Sequence, residues 1–199
     1  MSSSTPSFQP GAADDGTSLS GRFLIAMPGM PDPRFAKTVI YMCAHSAEGA
    51  MGLVINKPMD GLTFPELLEQ MNIAGDGPGT GLDVLVGGPV ESGRGFVLHT
   101  DDYLHDASLM VEGGVALTAT VDILRAIAHG TGPDKCLFAL GYAGWGPGQL
   151  DSEIKANGWL HVDADQTLLF DPDTKGKWER AMAKLGIDPL LLVDEAGHA

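Results

Sequence analysis

Apolar positions along the chain fall into short runs, most of them too short for a helix and bounded by turn residues. Residues 21–30 (GRFLIAMPGM) carry an apolar run that Pro28 and Gly29 stop, so a strand is expected there. Residues 37–45 (KTVIYMCAH) and 51–58 (MGLVINKP) flank a turn in which Gly49 can take a left-handed conformation. A hairpin over 37–56 follows. Both runs are continuous rather than alternating, so these strands should be covered on two faces for part of their length. Residues 82–90 (LDVLVGGPV) and 95–100 (GFVLHT) predict a second hairpin turning at Gly87, Gly88 and Pro89. Residues 108–114 and 115–119 predict a short further pair. Residues 135–143 (KCLFALGYA) form the most apolar run, which predicts the central strand, and 158–164 (GWLHVDA) predict the last one.

Helical spacing replaces strand spacing in four places. In 62–73, Thr63 and Glu66 fit a capping box and Pro65 stands in the first turn. In 119–130, Val121, Leu124, Ile127 and Ala128 make one face and Gly130 a stop. Residues 148–158 carry Asp151 and Glu153 near their start, which suits the helix dipole. Residues 174–187 make the last helix, with Trp178 on its core side and Gly186 at its end. Lys175, Lys177, Arg180 and Lys184 along it, with Glu179 among them, predict a solvated face. Hairpins with interspersed helices and no βαβ rhythm predict an α+β fold. Its sheet should be mixed and mainly antiparallel, curled into a partly open barrel with flanking helices.

Residues 1–20 are polar, rich in Ser, Pro and Gly and without periodicity, and predict a disordered tail. Residues 21–199 then form one domain, since no internal linker breaks the pattern; residues 75–81 predict a flexible loop and the last residues a polar end. The net charge of −14 and the lack of a basic cluster argue against direct nucleic-acid binding. Two cysteines, no membrane-length apolar run and no secretion-signal pattern predict a cytoplasmic protein with reduced thiols.

Candidate chemistry concentrates in 139–159 (ALGYAGWGPGQLDSEIKANGW). An apolar run gives way after Tyr142 to a glycine-crowded stretch around Trp145, and a helix opens near Gln149. Such a junction can offer free backbone N–H groups to an anion. The same glycines would equally let Tyr142, Trp145 and Trp159 pack against a crowded sheet edge. No phosphate-loop or dinucleotide fingerprint is present. The candidate ligand or partner cleft is Gly87, Gly88, Arg94, Tyr142, Gly144, Trp145, Gly148 and Gln149. Cys43 is a candidate reactive thiol, because strand geometry sets His45, two residues on, on its face; its bland reading is a small buried hydrophobe. Cys136 looks inert. His99, Asp101, Asp102, His105 and Asp106 fit no standard metal spacing. Ser92 lacks an evident base, which leaves Arg94 as the better anion contact of that turn.

Several blocks in order resemble the YqgE/AlgH family of bacterial proteins: GRFLIAMPGM, VIYMCAHSAEGAMGLVINKP, VLVGGPVESGRGFVLH and GYAGWGPGQLDSEIKANGWL. The resemblance covers about residues 20–199. It implies an α+β fold with a bulged, incompletely closed barrel. The family has no established activity, cofactor or substrate; one branch carries the label of a transcriptional regulator. Its recurrent cysteine falls on Cys43, its glycine loop on 141–148 and its Gly-Gly-Pro turn on Gly87, Gly88 and Pro89. The segment LHTDDYLHDASL departs from the usual family sequence. The resulting expectation is a non-enzymatic binding or regulatory module for a small molecule or a protein, with no cofactor, metal or membrane. The alternatives are a thiol-dependent redox sensor or enzyme at Cys43, or a transcriptional regulator acting indirectly.

Overall fold

The computed structural model describes residues 18–75 and 81–191. The expected tail up to residue 17, residues 76–80 of the expected loop and the polar end from residue 192 lie outside the described residues. Nine strands occur among the described residues: β1 (Arg22–Ala26), β2 (Val39–Ser46), β3 (Gly49–Val54), β4 (Val84–Val86), β5 (Val90–Thr100), β6 (Leu109–Met110), β7 (Val115–Thr118), β8 (Cys136–Trp145) and β9 (Trp159–Asp163). They form one curled, half-barrel sheet in the order β6-β7-β5-β8-β3-β2-β1-β9, with β4 paired to β8 off that path. Every pairing is antiparallel except β4 with β8. The helices are α1 (Phe64–Gln70), α2 (Val121–Ala128), α3 (Gln149–Lys155), α4 (Gln166–Leu169) and α5 (Lys177–Lys184), with a 3₁₀ turn at Pro33–Phe35. The architecture is thus α+β, as the residue pattern implied.

Continuous apolar runs reflect burial on both faces. In β1 and β2, Phe23, Ile25, Val39 and Tyr41 face one apolar cluster, whereas Leu24, Ala26, Ile40 and Met42 face another. The first cluster is closed by Leu168 and Leu169 of α4 and by Trp178, Ala181 and Met182 of α5. The second is closed by Leu150 of α3 with Trp145 and Trp159. A third sits under α1 and α2, where Phe64, Leu68, Ile123, Leu124 and Ile127 meet Val97 and Phe138. In α1, Glu66 N donates to Thr63 Oγ1 at 3.3 Å and Thr63 N to Glu66 Oε2 at 3.0 Å, closing the capping box.

Four expectations are corrected. First, β4 and β5 do not form a hairpin. They flank β8 on opposite edges: Val84, Leu85 and Val86 pair in parallel with Phe138, Ala139 and Leu140, and Gly95, Phe96 and Val97 pair antiparallel with Leu140, Ala139 and Phe138. Two neighbours of one strand lie about 9–10 Å apart, and only Gly87, Gly88 and Pro89 connect them. The chain therefore steps directly over β8. A Cβ on Gly87 would lie 2.3 Å from Gly141 O, one on Gly88 2.1 Å from the Tyr142 carbonyl carbon, and one on Gly141 2.4 Å from Gly88 O. Only glycines allow backbones this close.

Second, β8 continues through Trp145, so Gly144 is strand rather than loop. Third, Val121 is 42% exposed while Ile123 is fully buried, so the buried face of α2 is rotated from the one expected. Fourth, α4 was missed, and Lys177 is not on a solvated face. Lys177 is buried, and its Nζ donates to Leu169 O at 2.8 Å and Ile55 O at 3.4 Å. It thereby ties α5 to α4 and to the end of β3. A buried ammonium can be kept only with such acceptors.

Two predictions follow from this packing. Gly88→Ala should abolish soluble, cooperatively folding protein, whereas Gly148→Ala, with φ +71° but nothing within 4 Å of the new Cβ, should cost only about 1–2 kcal/mol in a urea melt. Burial also pulls the Lys177 ammonium down to about 8 from 10.5. The folded chain then holds fewer protons than the unfolded chain between those values, so this group's contribution to stability rises with pH across that window. The stability of the wild type relative to Lys177→Met should increase from pH 8 to 10.5 in paired urea melts, the buried Cys43 and Tyr41 and the half-buried Cys136 being common to both proteins.

Candidate functional site

The expected cleft residues fall into three groups. Gly87 and Gly88 belong to the crossing, with Gly87 N donating to Leu140 O at 2.7 Å and Gly87 O accepting from Val54 N at 2.9 Å. Tyr142, beside that crossing and paired with Val90, packs edge-on to Phe96 at 5.8 Å. The Arg94 guanidinium lies 5.2 Å over the same ring and pairs with Glu91 at 3.3 Å. These residues share one face. Gly144 pairs with Met51 in the ladder, and Trp145 turns into the second apolar cluster, edge-on to Trp159 at 6.2 Å. The loop proper is residues 146–148. There Gly146 N donates to Gln149 Oε1 at 3.0 Å and Gln149 N to Gly146 O at 3.1 Å, while Gly148 takes φ +71° to open α3. The loop amides at 146 and 149 thus already have partners, and neither of the two hollows described below is lined by loop residues.

Cys43 and His45 are not brought together. The pairing of β2 with β3 slips between Met42 and Ala44, so Cys43 is the extra residue of a bulge. Its side chain packs beside Tyr41 in the first cluster, with Sγ donating weakly to Tyr41 O at 3.8 Å. Past the bulge, His45 turns the other way. Its Nδ1 accepts from Leu19 N at 3.0 Å, and its Nε2 faces Asp151 Oδ1 of α3 at 3.6 Å. Burial pushes the Cys43 thiol up to about 12 and the Cys136 thiol up to about 11.

The acidic and histidine-bearing segment that begins at the end of β5 is a structural staple. His99 is fully buried, with Nδ1 on Thr100 O at 2.8 Å and Nε2 on Thr118 Oγ1 at 2.7 Å. A carbonyl can only accept, so Nδ1–H donates and Nε2 receives the Thr118 hydroxyl proton. Burial holds the imidazole below its ordinary pKa and therefore neutral. Asp102 accepts from Thr100 Oγ1 at 2.5 Å and from Asp134 N at 2.9 Å, and the Thr100 hydroxyl holds its carboxyl below the usual carboxylate range. Among the described residues, no three His, Cys, Asp or Glu side chains converge to hold a metal ion. No helix there is long and apolar enough to cross a membrane.

One concavity escaped the sequence reading. It is a crevice of about 320 Å³ between Ser18 and Leu19, β1, α3 and β9, lined by Arg22, Asp151, Ile154, Lys155 and His161. Cross-strand register builds it: Arg22 lies opposite Asp163, and Leu24 opposite His161. The available signal was the polar residue at every second position of β9, yet the pairing of β9 with a strand some 140 residues away is invisible in a local pattern. A second hollow of about 230 Å³, beside Tyr41, Glu112, Asp163 and Asp165, is acidic.

Residues 23–190 match the family model described as AlgH-like. A UPF0301 protein of Bradyrhizobium diazoefficiens is 55% identical over 98% of this chain and 95% of its own length. A UPF0301 protein of Rhodospirillum rubrum is 56% identical over 91% of this chain and 94% of its own. The solution structure of the AlgH protein from Pseudomonas aeruginosa superposes with a TM-score of 0.75 at 44% identity, covering 96% of this chain and all of that one. A crystal structure from Corynebacterium diphtheriae, 21% identical and with a TM-score of 0.69, covers 87% of this chain and 90% of its own and shares the fold. Sequence, relatives and architecture agree that this chain belongs to the YqgE/AlgH family.

Proposed function

We propose that this protein is a cytoplasmic binding or regulatory module that recognises a small molecule or a protein partner and catalyses no reaction of its own. The state of its potentially reactive groups carries this reading. Cys43 is buried with its thiol raised to about 12, far from the thiolate a nucleophile needs. His99 is neutral and bonded at both ring nitrogens. The Lys177 amine is fully buried and held by two carbonyls. Such an arrangement supports recognition by fixed surface groups over covalent chemistry. The glycine crossing sets Tyr142 and Arg94 around Phe96 on one face, and Gly144, Trp145, Gly148 and Gln149 carry that frame on to the start of α3. Recognition by this region falls to side chains, because Gly87, Gly88 and Gly141 are packed against backbone and the amides of Gly146 and Gln149 already have partners.

Nothing favours the thiol reading or a transcriptional regulator acting indirectly, and a net charge of −14 opposes direct nucleic-acid binding. Two measurements test the proposal. Native mass spectrometry of protein purified from its own cell should show a retained small molecule or partner that Arg94→Ala or Gln149→Ala sheds without unfolding. A bare chain in every preparation would count against it. Iodoacetamide at pH 8 should alkylate Cys43 roughly a thousandfold more slowly in the native chain than in urea, given a thiol near 12 against ~8.5 for a free one. Equal rates would favour the thiol reading instead.

A further inference from the structure

We infer that the crevice between Ser18, β1, α3 and β9 binds a small oxyanion, a phosphate or a carboxylate, on Arg22, Lys155 and His161. This rests on the binding-module reading and names a ligand class for it. Three nitrogen-bearing side chains from three different elements line one recess of about 320 Å³, a size at the small end of ligand sites. Two of them present buried polar atoms without a partner: Arg22 Nε and His161 Nδ1. Buried polar groups in folded proteins are nearly always satisfied, and clustered exceptions point to an unaccounted contact. Of the five such atoms among the described residues, these two belong to residues that line the crevice, whereas Thr120 Oγ1, Glu153 Oε2 and Trp159 Nε1 do not.

The arrangement around Arg22 decides the chemistry. Asp163 takes Nη1 at 2.6 Å, which pins the guanidinium while leaving its Nε side uncommitted. A guanidinium held this way offers parallel N–H groups that match two oxygens of a carboxylate or phosphate. Of the neighbouring carboxylates, Asp163 is committed to Arg22, while Asp151 lines the crevice 3.6 Å from His45 Nε2 and tempers the positive charge there. Lys155, one turn after Asp151 on α3, adds an ammonium at the rim. A strongly acidic chain repels extended polyanions, so a recessed basic pocket on it selects a compact anion.

The experiment titrates the full chain with inorganic phosphate and, separately, with malonate, following the Arg22 Nε–H, the His161 ring and the backbone amides by NMR. Saturable shifts confined to residues 18–22, 151–155 and 159–163 are expected with one or both anions, and the tighter of the two tells phosphate from carboxylate recognition. Arg22→Gln and Lys155→Gln should each weaken binding, Arg22→Gln by about tenfold or more, with spectra that remain folded. Arg125→Gln, which removes an exposed cation of α2, should bind as the wild type does. Equal shifts with sodium chloride, no saturable shift, or full affinity in Arg22→Gln would each overturn the assignment. Shifts centred on Arg94 and Tyr142 would also overturn it while leaving the binding-module reading standing. A ligand retained from the native cell by both wild type and Arg22→Gln would separate the two in the same way.

Discussion

The passage of the chain across β8 at Gly87 and Gly88 is the constraint on which the rest of the sheet depends. With β4 on one edge of β8 and β5 on the other, the same three residues, Phe138 to Leu140, are paired on both sides. That makes β8 the hub, with β3 joining it further along at Ala143 to Trp145. The crossing closes only because Gly87, Gly88 and Gly141 present bare backbone to one another. Side chains there would force the strands apart and with them the two apolar layers that meet along β8. The density of glycine in this region therefore serves topology first, and the exposed residues around it inherit their positions from that crossing.

Inside the sheet, polar groups are used as fasteners. Trp178 Nε1 donates to Ala26 O at 2.9 Å, locking α5 onto β1. Asn56 receives Val39 N at 3.0 Å and donates to Lys37 O at 2.9 Å, standing in for a strand partner where β3 ends. Lys177, between Ile55 and Leu169, and His99, between Thr100 and Thr118, do the same. Each is satisfied, which is what the low-dielectric interior demands. The contrast with Arg22 and His161, beside α3, is one of saturation rather than of residue type.

Local pattern carried most of the elements. Runs of apolar residues marked β1, β2, β3 and β8, and the Thr63–Glu66 pair marked the start of α1, because these features depend on neighbours within a few positions. The pattern misled where long-range pairing decided. Gly-Gly-Pro between two apolar runs has the composition of a hairpin turn, and nothing nearby reveals that β8 lies beneath it. Cys43 and His45 keep strand spacing on paper, yet one extra residue in β2 turns them to opposite sides. Lys177 looks solvated by composition, and only Ile55 and Leu169, distant in sequence or on the unforeseen α4, make it internal. Of the candidate site, the Tyr142–Arg94 face was legible as a cluster of unusual residues. The crevice at Arg22 was not, since its walls come from residues 18–22, 151–155 and 161.

The hub's late place in the chain has a consequence for biosynthesis. A ribosome releases residues in order, and β8 begins only at Cys136. Until it emerges, β1–β2–β3 and β5–β7–β6 can pair among themselves, but one edge of β3, one edge of β5 and the whole of β4 have nothing to join. Roughly two thirds of the polypeptide thus waits with unpaired, apolar strand edges, the circumstance in which nascent chains associate wrongly. The large negative charge of the sequence supplies mutual repulsion between such chains during that interval.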